Sequence, residues 1–226
     1  MTPLREDLRR ALARHLGEPA VDLADDPLLG PTSPHDDPRR DDDPEDHGDP
    51  RIEGWAAALV EYGVEVAQHA TIGCARLVAP VWAAGHPGDE RLERALDACE
   101  ARLGAGRPIP AAVASAVDDA EREVRWAHEH DAVRGAQAAL RAVTAPASAS
   151  VQAAHAALFA LRIVGWATAP GTRSAALAGL ESRLRDDPEL TPCFELSPAR
   201  RARAIVRVAL RQALRGFIDV DPARRG

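Results

Sequence analysis

Residues 71–99 read TIGCARLVAPVWAAGHPGDERLERALDAC, and this stretch decides the fold. Cys74, Leu77, Val78, Val81 and Trp82 recur at three- and four-residue steps, the spacing of one apolar helix face. Gly85-His86-Pro87-Gly88 stops that helix. Asp89 stands where an N-cap belongs, and Glu90 follows in the first turn, where negative charge suits the helix dipole. Leu92, Ala95, Leu96, Cys99 and Leu103 form the next stripe. The pattern predicts a helical hairpin with a short, capped corner. It is architecture and carries no chemistry of its own.

The flanks continue in the same language. A helical pattern runs over 52–84 with Trp55, Leu59, Val60, Val64, Val66 and Cys74. Gly63 and Gly73 weaken it, and Pro80 predicts a kink or break. Helices are expected over 110–130, facing inward through Val113, Val117, Ala120, Val124 and Ala127, and over 132–143. The most apolar stretch, 149–168, predicts a central helix capped by Ser148 and carrying His155 as a core histidine. Thr172 should cap a helix to about residue 185, and Ser197-Pro198 should open a last one ending at Gly216. No period-two run occurs, so no strand is expected. The fold class is all-α, a bundle of about seven helices spanning residues 51–218, with a tail over 219–226. Ala supplies about a fifth of the 226 residues and aromatics only 4%. Such a core must be built from close helix contacts through small side chains.

Upstream, residues 1–17 predict a short basic amphipathic helix with Leu4, Leu8, Leu12 and Leu16 on one side. Residues 18–50 hold seven prolines, twelve acidic and two basic side chains, a net of −10. Such a segment cannot bury enough apolar surface to offset chain entropy and reads as a disordered acidic linker. The whole chain carries −7, so the remainder is mildly basic at +3. There is no Lys. Three widely spaced Cys (74, 99, 193) without metal-ligand spacing read as reduced, buried thiols in a cytoplasmic setting. The N-terminus is too charged for a signal peptide, and no apolar run is expected to reach the roughly 18 residues of a membrane span.

Motifs for chemistry are scarce. His128-Glu129-His130 is not HExxH, since its two His fall on different helix faces. His86 shapes the corner, and His69 is isolated. Asp118-Asp119 and Glu121-Glu123 read as a wet helix face. No phosphate loop and no GxSxG elbow exists. No metal, cofactor or catalytic residue is expected, and the chain reads as a non-enzyme. One charge pattern stands out: Arg200, Arg203, Arg207, Arg211 and Arg215 share one side of the last helix, with Val206, Ala209, Leu210, Ala213 and Phe217 opposite. The stripe is a solvated outer face, a surface for an acidic protein partner, or a dock for the chain's own acidic linker. Nucleic acid is disfavoured, because no aromatic interleaves the arginines to stack bases.

Cys74 to Ala98, CARLVAPVWAAGHPGDERLERALDA, resembles a signature of the immunity-protein family of bacterial toxin systems. The matching features are Cys74-Ala75, Val78-Ala79-Pro80, Trp82, Pro87, Asp89, Arg91 and Ala95. The Ala-rich helices downstream extend the resemblance over about 55–168. Leu92-Glu93 departs from it, standing where Pro-Arg would be expected. The resemblance implies a non-enzymatic binder that neutralises a cognate toxin by covering its active site or holding it inactive. Recognition of that kind rests on charge complementarity and a few buried anchors. The interface is then expected on the corner (His86, Asp89, Arg91) or on the Arg stripe. The other reading is a helical scaffold or regulatory module whose acidic linker masks the Arg-rich helix. The oligomeric state stays open.

Overall fold

The computed structural model describes residues 50–219. The expected helix at 1–17, the acidic segment up to Asp49 and the tail beyond Asp219 lie outside the described residues. Eight α-helices follow one another: α1 Pro50–Tyr62, α2 Val64–Gly85, α3 Arg91–Ala105, α4 Ala111–Glu123, α5 Ala127–Thr144, α6 Ala149–Thr168, α7 Ala175–Asp186 and α8 Pro198–Asp219. Single 3-10 turns lie at Pro146–Ser148 and Thr191–Glu195. No strand occurs among the described residues, and the all-α bundle is as the sequence implies.

The boundaries correct the sequence in several places: α7 starts after Ser174 and not at Thr172, and α8 runs past Gly216 to Asp219. The helix expected over 52–84 is two helices, which is why the bundle has eight among the described residues and not about seven. The break falls at Gly63, whose φ of 137° is open to glycine and strained for other residues. Pro80 instead lies inside α2. It removes one backbone donor, but Val78, Ala79, Val81 and Trp82 around it are buried and hold that turn against its neighbours. The helix expected over 110–130 also ends early, at Glu123. The Glu129 carboxylate accepts the backbone N–H groups of Arg125 at 2.9 Å and Trp126 at 3.3 Å. That capping starts a new helix at Ala127 and leaves Trp126 extended just before it.

α2 and α6 are the centre of the bundle. α2 packs on α1, α3, α5, α6, α7 and α8, and α6 packs on all of these except α3. Small residues let the backbones approach. A Cβ at Gly73 of α2 would lie 2.5 Å from the Ala213 Cβ of α8, and one at Gly135 of α5 would sit 3.6 Å from the Ala75 Cα. Trp82, Leu92, Leu96, Ile163 and Ile205 are the large fillers, all fully buried; each contributes about 1.5–3 kcal/mol on leaving water. Contrary to the sequence expectation, Pro146–Thr168 is long and apolar enough to cross a bilayer by length and composition. Here Ala153, Ala157, Ala160, Ile163, Val164 and Ala167 of that stretch are buried among the other helices, the place of a core helix. His155, expected inside, is exposed on α6.

Polar joints fix the register. Gln68 of α2 donates to the Ala142 carbonyl of α5 at 2.8 Å. Arg76 of α2 forks onto three carboxylates of α3: Glu93, Asp97 and Glu100, at 3.1, 2.7 and 2.7 Å. Fully buried Asp131 of α5 accepts from Arg162 of α6 at 2.7 Å. Burial holds the Asp131 carboxyl above its ordinary value, against the pull of Arg162. All three thiols are free and buried. Burial pushes Cys74 and Cys99 up to about 12 and raises Cys193 as well, so all three stay protonated and unreactive.

Candidate functional site

The hairpin corner gathers the charges that the sequence singles out. His86 closes α2 and stacks on Trp82, ring centroids 3.7 Å apart and 15° from parallel. Asp89 accepts the Arg91 backbone N–H at 3.0 Å, so it serves the first turn of α3 from just ahead of the N-cap position. Its carboxylate also takes the Arg91 side chain through Nε and Nη2, at 2.9 and 2.6 Å. The same guanidinium reaches across to α4 and binds Glu123 through both terminal nitrogens, at 2.9 and 2.6 Å. It lies 5.5 Å from the Trp82 ring centroid. Buried Glu129 closes the group, with Oε2 3.7 Å from His86 Nε2. Arg91 holds the Asp89 and Glu123 carboxyls below their ordinary values, chiefly by hydrogen bonding. The Trp82 indole adds a smaller pull on Asp89, though its buried Nε1 has no partner at hydrogen-bonding geometry.

This arrangement is closed on itself. Donor atoms of His86, Asp89 and Glu123 lie within 4.8 Å of one another, a spacing that suits a metal ion. The Arg91 guanidinium, however, binds both carboxylates of that set and supplies the positive charge a cation would bring. His86, Asp89 and Arg91 expose only 14, 16 and 24% of their side chains. Their work is to lock α2, α3, α4 and the start of α5 together. A Cβ at Gly85 would meet Glu129 Oε1 at 2.5 Å, so a side chain there would push the Glu129 carboxylate aside.

The Arg stripe on α8 is not the open face expected of it. Arg200 is exposed, but Arg211 is only 8% exposed, and Arg215 binds Glu189 at 2.8 and 3.0 Å. Arg203 and Arg207 are half-buried and already hold interactions. Ala204, Val208, Leu210 and Leu214 are buried on several sides of the helix, which brings the arginine stems down with them. Arg201, which the stripe did not include, is spent on the backbone carbonyls of Thr168, Phe194 and Leu196, at 3.3, 3.1 and 3.0 Å.

The open surface lies elsewhere, where the start of α5 meets the end of α6. Trp126 is 63% exposed and Trp166 is 37% exposed. Trp126 runs parallel to the His128 ring at 6.4 Å. Arg162 sits 5.8 Å from the Trp166 ring centroid and 5.8 Å from that of Phe159, anchored from below by Asp131. Thr172 donates to the Trp166 carbonyl at 2.8 Å and folds the following turn over the end of α6. Ser174 Oγ then reaches 3.4 Å from His128 Nε2, linking the turn after α6 to the start of α5. Exposed Arg125 and Arg173 flank it, with no ion pair among the described residues. Burial holds the His128 imidazole below its ordinary value. The Ser174–His128 contact is long for a catalytic dyad, and among the described residues no carboxylate bonds to the ring to orient it.

The sequence reading did not single out Trp126 or Trp166 as surface residues; it took Glu123 only as part of a wet helix face and Glu129 only as part of a run that is not HExxH. One signal was available for Trp126: it is a tryptophan set in the charged run Glu121–Asp131 and off the apolar stripe of its neighbours. Comparison with protein families, with curated proteins and with solved structures returned no match.

Proposed function

We propose that this chain is a non-enzymatic, cytoplasmic protein-binding module of the immunity type, which neutralises a cognate bacterial toxin by direct contact. The observation that carries the reading is the 63% exposure of Trp126, beside half-exposed Trp166 and three arginines, Arg125, Arg162 and Arg173. A large apolar ring held in water by a rigid helix start costs free energy that a partner's pocket would return. Tryptophan and arginine are also the residues that dominate binding energy at protein interfaces. The resemblance over Cys74–Ala98 supports the same class of function. In this reading Trp126 and Trp166 are the anchors, and Arg125 and Arg173 meet carboxylates on the toxin. The corner residues His86, Asp89 and Arg91 act indirectly, by fixing the helix ends that aim Trp126. The Arg stripe of α8 is the poorer interface, because Arg211 is buried and Arg215 is engaged.

The test is neutralisation. The tagged full chain is isolated from its producing cells with whatever co-elutes, and the partner's own activity is assayed with and without added chain. One stoichiometric partner whose hydrolase or nuclease activity falls on adding wild-type chain, and falls at least tenfold less readily with Trp126→Ala, is the expected result. A partner whose activity stays at full strength under saturating wild-type chain would overturn the proposal.

A further inference from the structure

Two helix starts meet beside the exposed tryptophans. α5 begins at Ala127 and α7 at Ala175, and the 3.4 Å contact between His128 and Ser174 ties the two ends together. An arginine stands just ahead of each: Arg125 before α5 and Arg173 before α7, both exposed and without an ion pair among the described residues. We infer that this place takes an acidic peptide segment of the partner, with carboxylates over Arg125 and Arg173 and aliphatic side chains over Trp126 and Trp166. The inference rests on reading that surface as a docking site, and it names the chemistry of what docks.

A helix start carries a partial positive charge from its unpaired backbone N–H groups. α7 leaves that charge unanswered: its first turn holds no acid, and Ser174 makes no capping hydrogen bond. In the first turn of α5 the acid is Glu129, buried and spent on the N–H groups of Arg125 and Trp126. Asp131, next along, is buried and bound to Arg162. Two helix dipoles and two guanidinium groups therefore add up to a positive patch, and both nearby acids are committed elsewhere.

The apolar part extends further. Beyond Trp166 the outer side of α6 continues with Arg162, Phe159, His155 and Val151, each three or four residues from the last. Val151 is 52% exposed, and the Arg162 guanidinium lies 5.8 Å from the ring centroids of both Phe159 and Trp166. A docked segment thus meets cations at one end and apolar surface along the rest.

Rings beside arginines also suit a single nucleic-acid strand. Here the charge is wrong for one. A strand brings a phosphate with every base, the whole chain carries −7, and Arg162 is already answered by Asp131. A second copy of the same face is poorer still, since it would bring arginines to arginines.

The indole N–H signals of Trp55, Trp82, Trp126 and Trp166 in the free full-length chain, followed by two-dimensional NMR, read the outcome. Three probes are titrated: a short capped peptide of alternating aspartate and leucine, the same peptide with asparagine for aspartate, and an oligothymidylate of similar length. The aspartate peptide should move Trp126 and Trp166, leave Trp55 and Trp82 in place, and bind at least tenfold more tightly than the asparagine peptide. Arg125→Glu with Arg173→Glu should abolish that preference, with unmoved Trp55 and Trp82 signals showing the fold intact. Equal binding of the two peptides, or no movement of Trp126 and Trp166 with either, would overturn the inference. So would an oligothymidylate that moves the same two signals at lower concentration than the aspartate peptide, which would make the surface a nucleic-acid site. Movement of those signals on diluting the chain with no probe present would give the face to a second copy and overturn it as well. No toxin enters this measurement, so its failure and a failure of neutralisation are told apart.

Discussion

The hairpin corner and the Trp126 surface are neighbours joined through Glu129, and they treat polar groups in opposite ways. At the corner, four charged side chains and a histidine come together, and nearly every charge is answered within the group: Arg91 by Asp89 and Glu123, the α5 backbone by Glu129. On the other side of Glu129, large apolar rings stand in solvent near Arg125 and Arg173, which are exposed and have no ion pair among the described residues. A dense charge cluster draws the eye as chemistry, but one that satisfies itself has nothing left to offer a ligand. Unfinished business marks a binding surface better: exposed indole, unpaired guanidinium.

That contrast can be attacked by substitution. The largest loss of stability is expected from Glu129→Ala, which removes the buried carboxylate that caps two backbone N–H groups at the start of α5; about 2–4 kcal/mol should disappear from chemical unfolding. Glu129→Gln, which keeps the shape, should lose less. Arg91→Ala comes next, at about 1.5–3 kcal/mol, because hydrogen bonds to charged partners are the strong ones. Arg91→Lys should recover only part of this, since one ammonium cannot fork to Asp89 and Glu123 together. A Glu129→Ala protein as stable as wild type would show that the corner is not the lock described.

Acid titration separates the two regions by sign. Asp89 is held below its ordinary value of 3.8, so its contribution is complete above that pH and is lost as pH falls through the lowered value. Arg91→Ala should flatten that acid limb. His128 is held below 6.5 by burial, so the folded chain resists protonation; its stability is full above pH 6.5 and declines as the pH drops below. His128→Gln should flatten the stability profile just below pH 6.5 while leaving the acid limb alone. Equal slopes in wild type and His128→Gln would contradict the burial assigned to that ring. The smallest effect on stability is expected from Trp126→Ala, within about 0.5 kcal/mol, because an exposed side chain contributes little to the core. A loss well beyond that would make Trp126 a structural residue.

The sequence carries the hairpin plainly. Three- and four-residue spacing and the Gly85–Gly88 stop are local signals, and both helices form where they point. The break at Gly63 was only half legible, since the glycine shows in the sequence but its φ of 137° does not, and the unbroken turn at Pro80 was hidden because buried neighbours hold it. The site was harder still. Arg91 finds Glu123 across 32 residues of sequence, and Arg162 finds Asp131 across 31. No window reading joins such pairs. Helical arithmetic correctly put five arginines on one side of α8 but could not reveal that Arg211 goes under. Trp126 escaped because Val124 and Ala127 continue the stripe of α4 as though the helix did not stop, and the stop depends on a carboxylate three residues further on.

The proposed function is tested most directly by how much of a co-eluting partner each chain retains relative to its own stability. Full-length wild type, Trp126→Ala and Arg91→Lys should be compared for recovery of the stoichiometric partner under conditions where all three are folded. The account predicts that Trp126→Ala keeps its fold and loses the partner by at least tenfold, while Arg91→Lys loses some stability and keeps the partner. Full retention by Trp126→Ala together with loss by Arg91→Lys would put the interface back on the corner and contradict it.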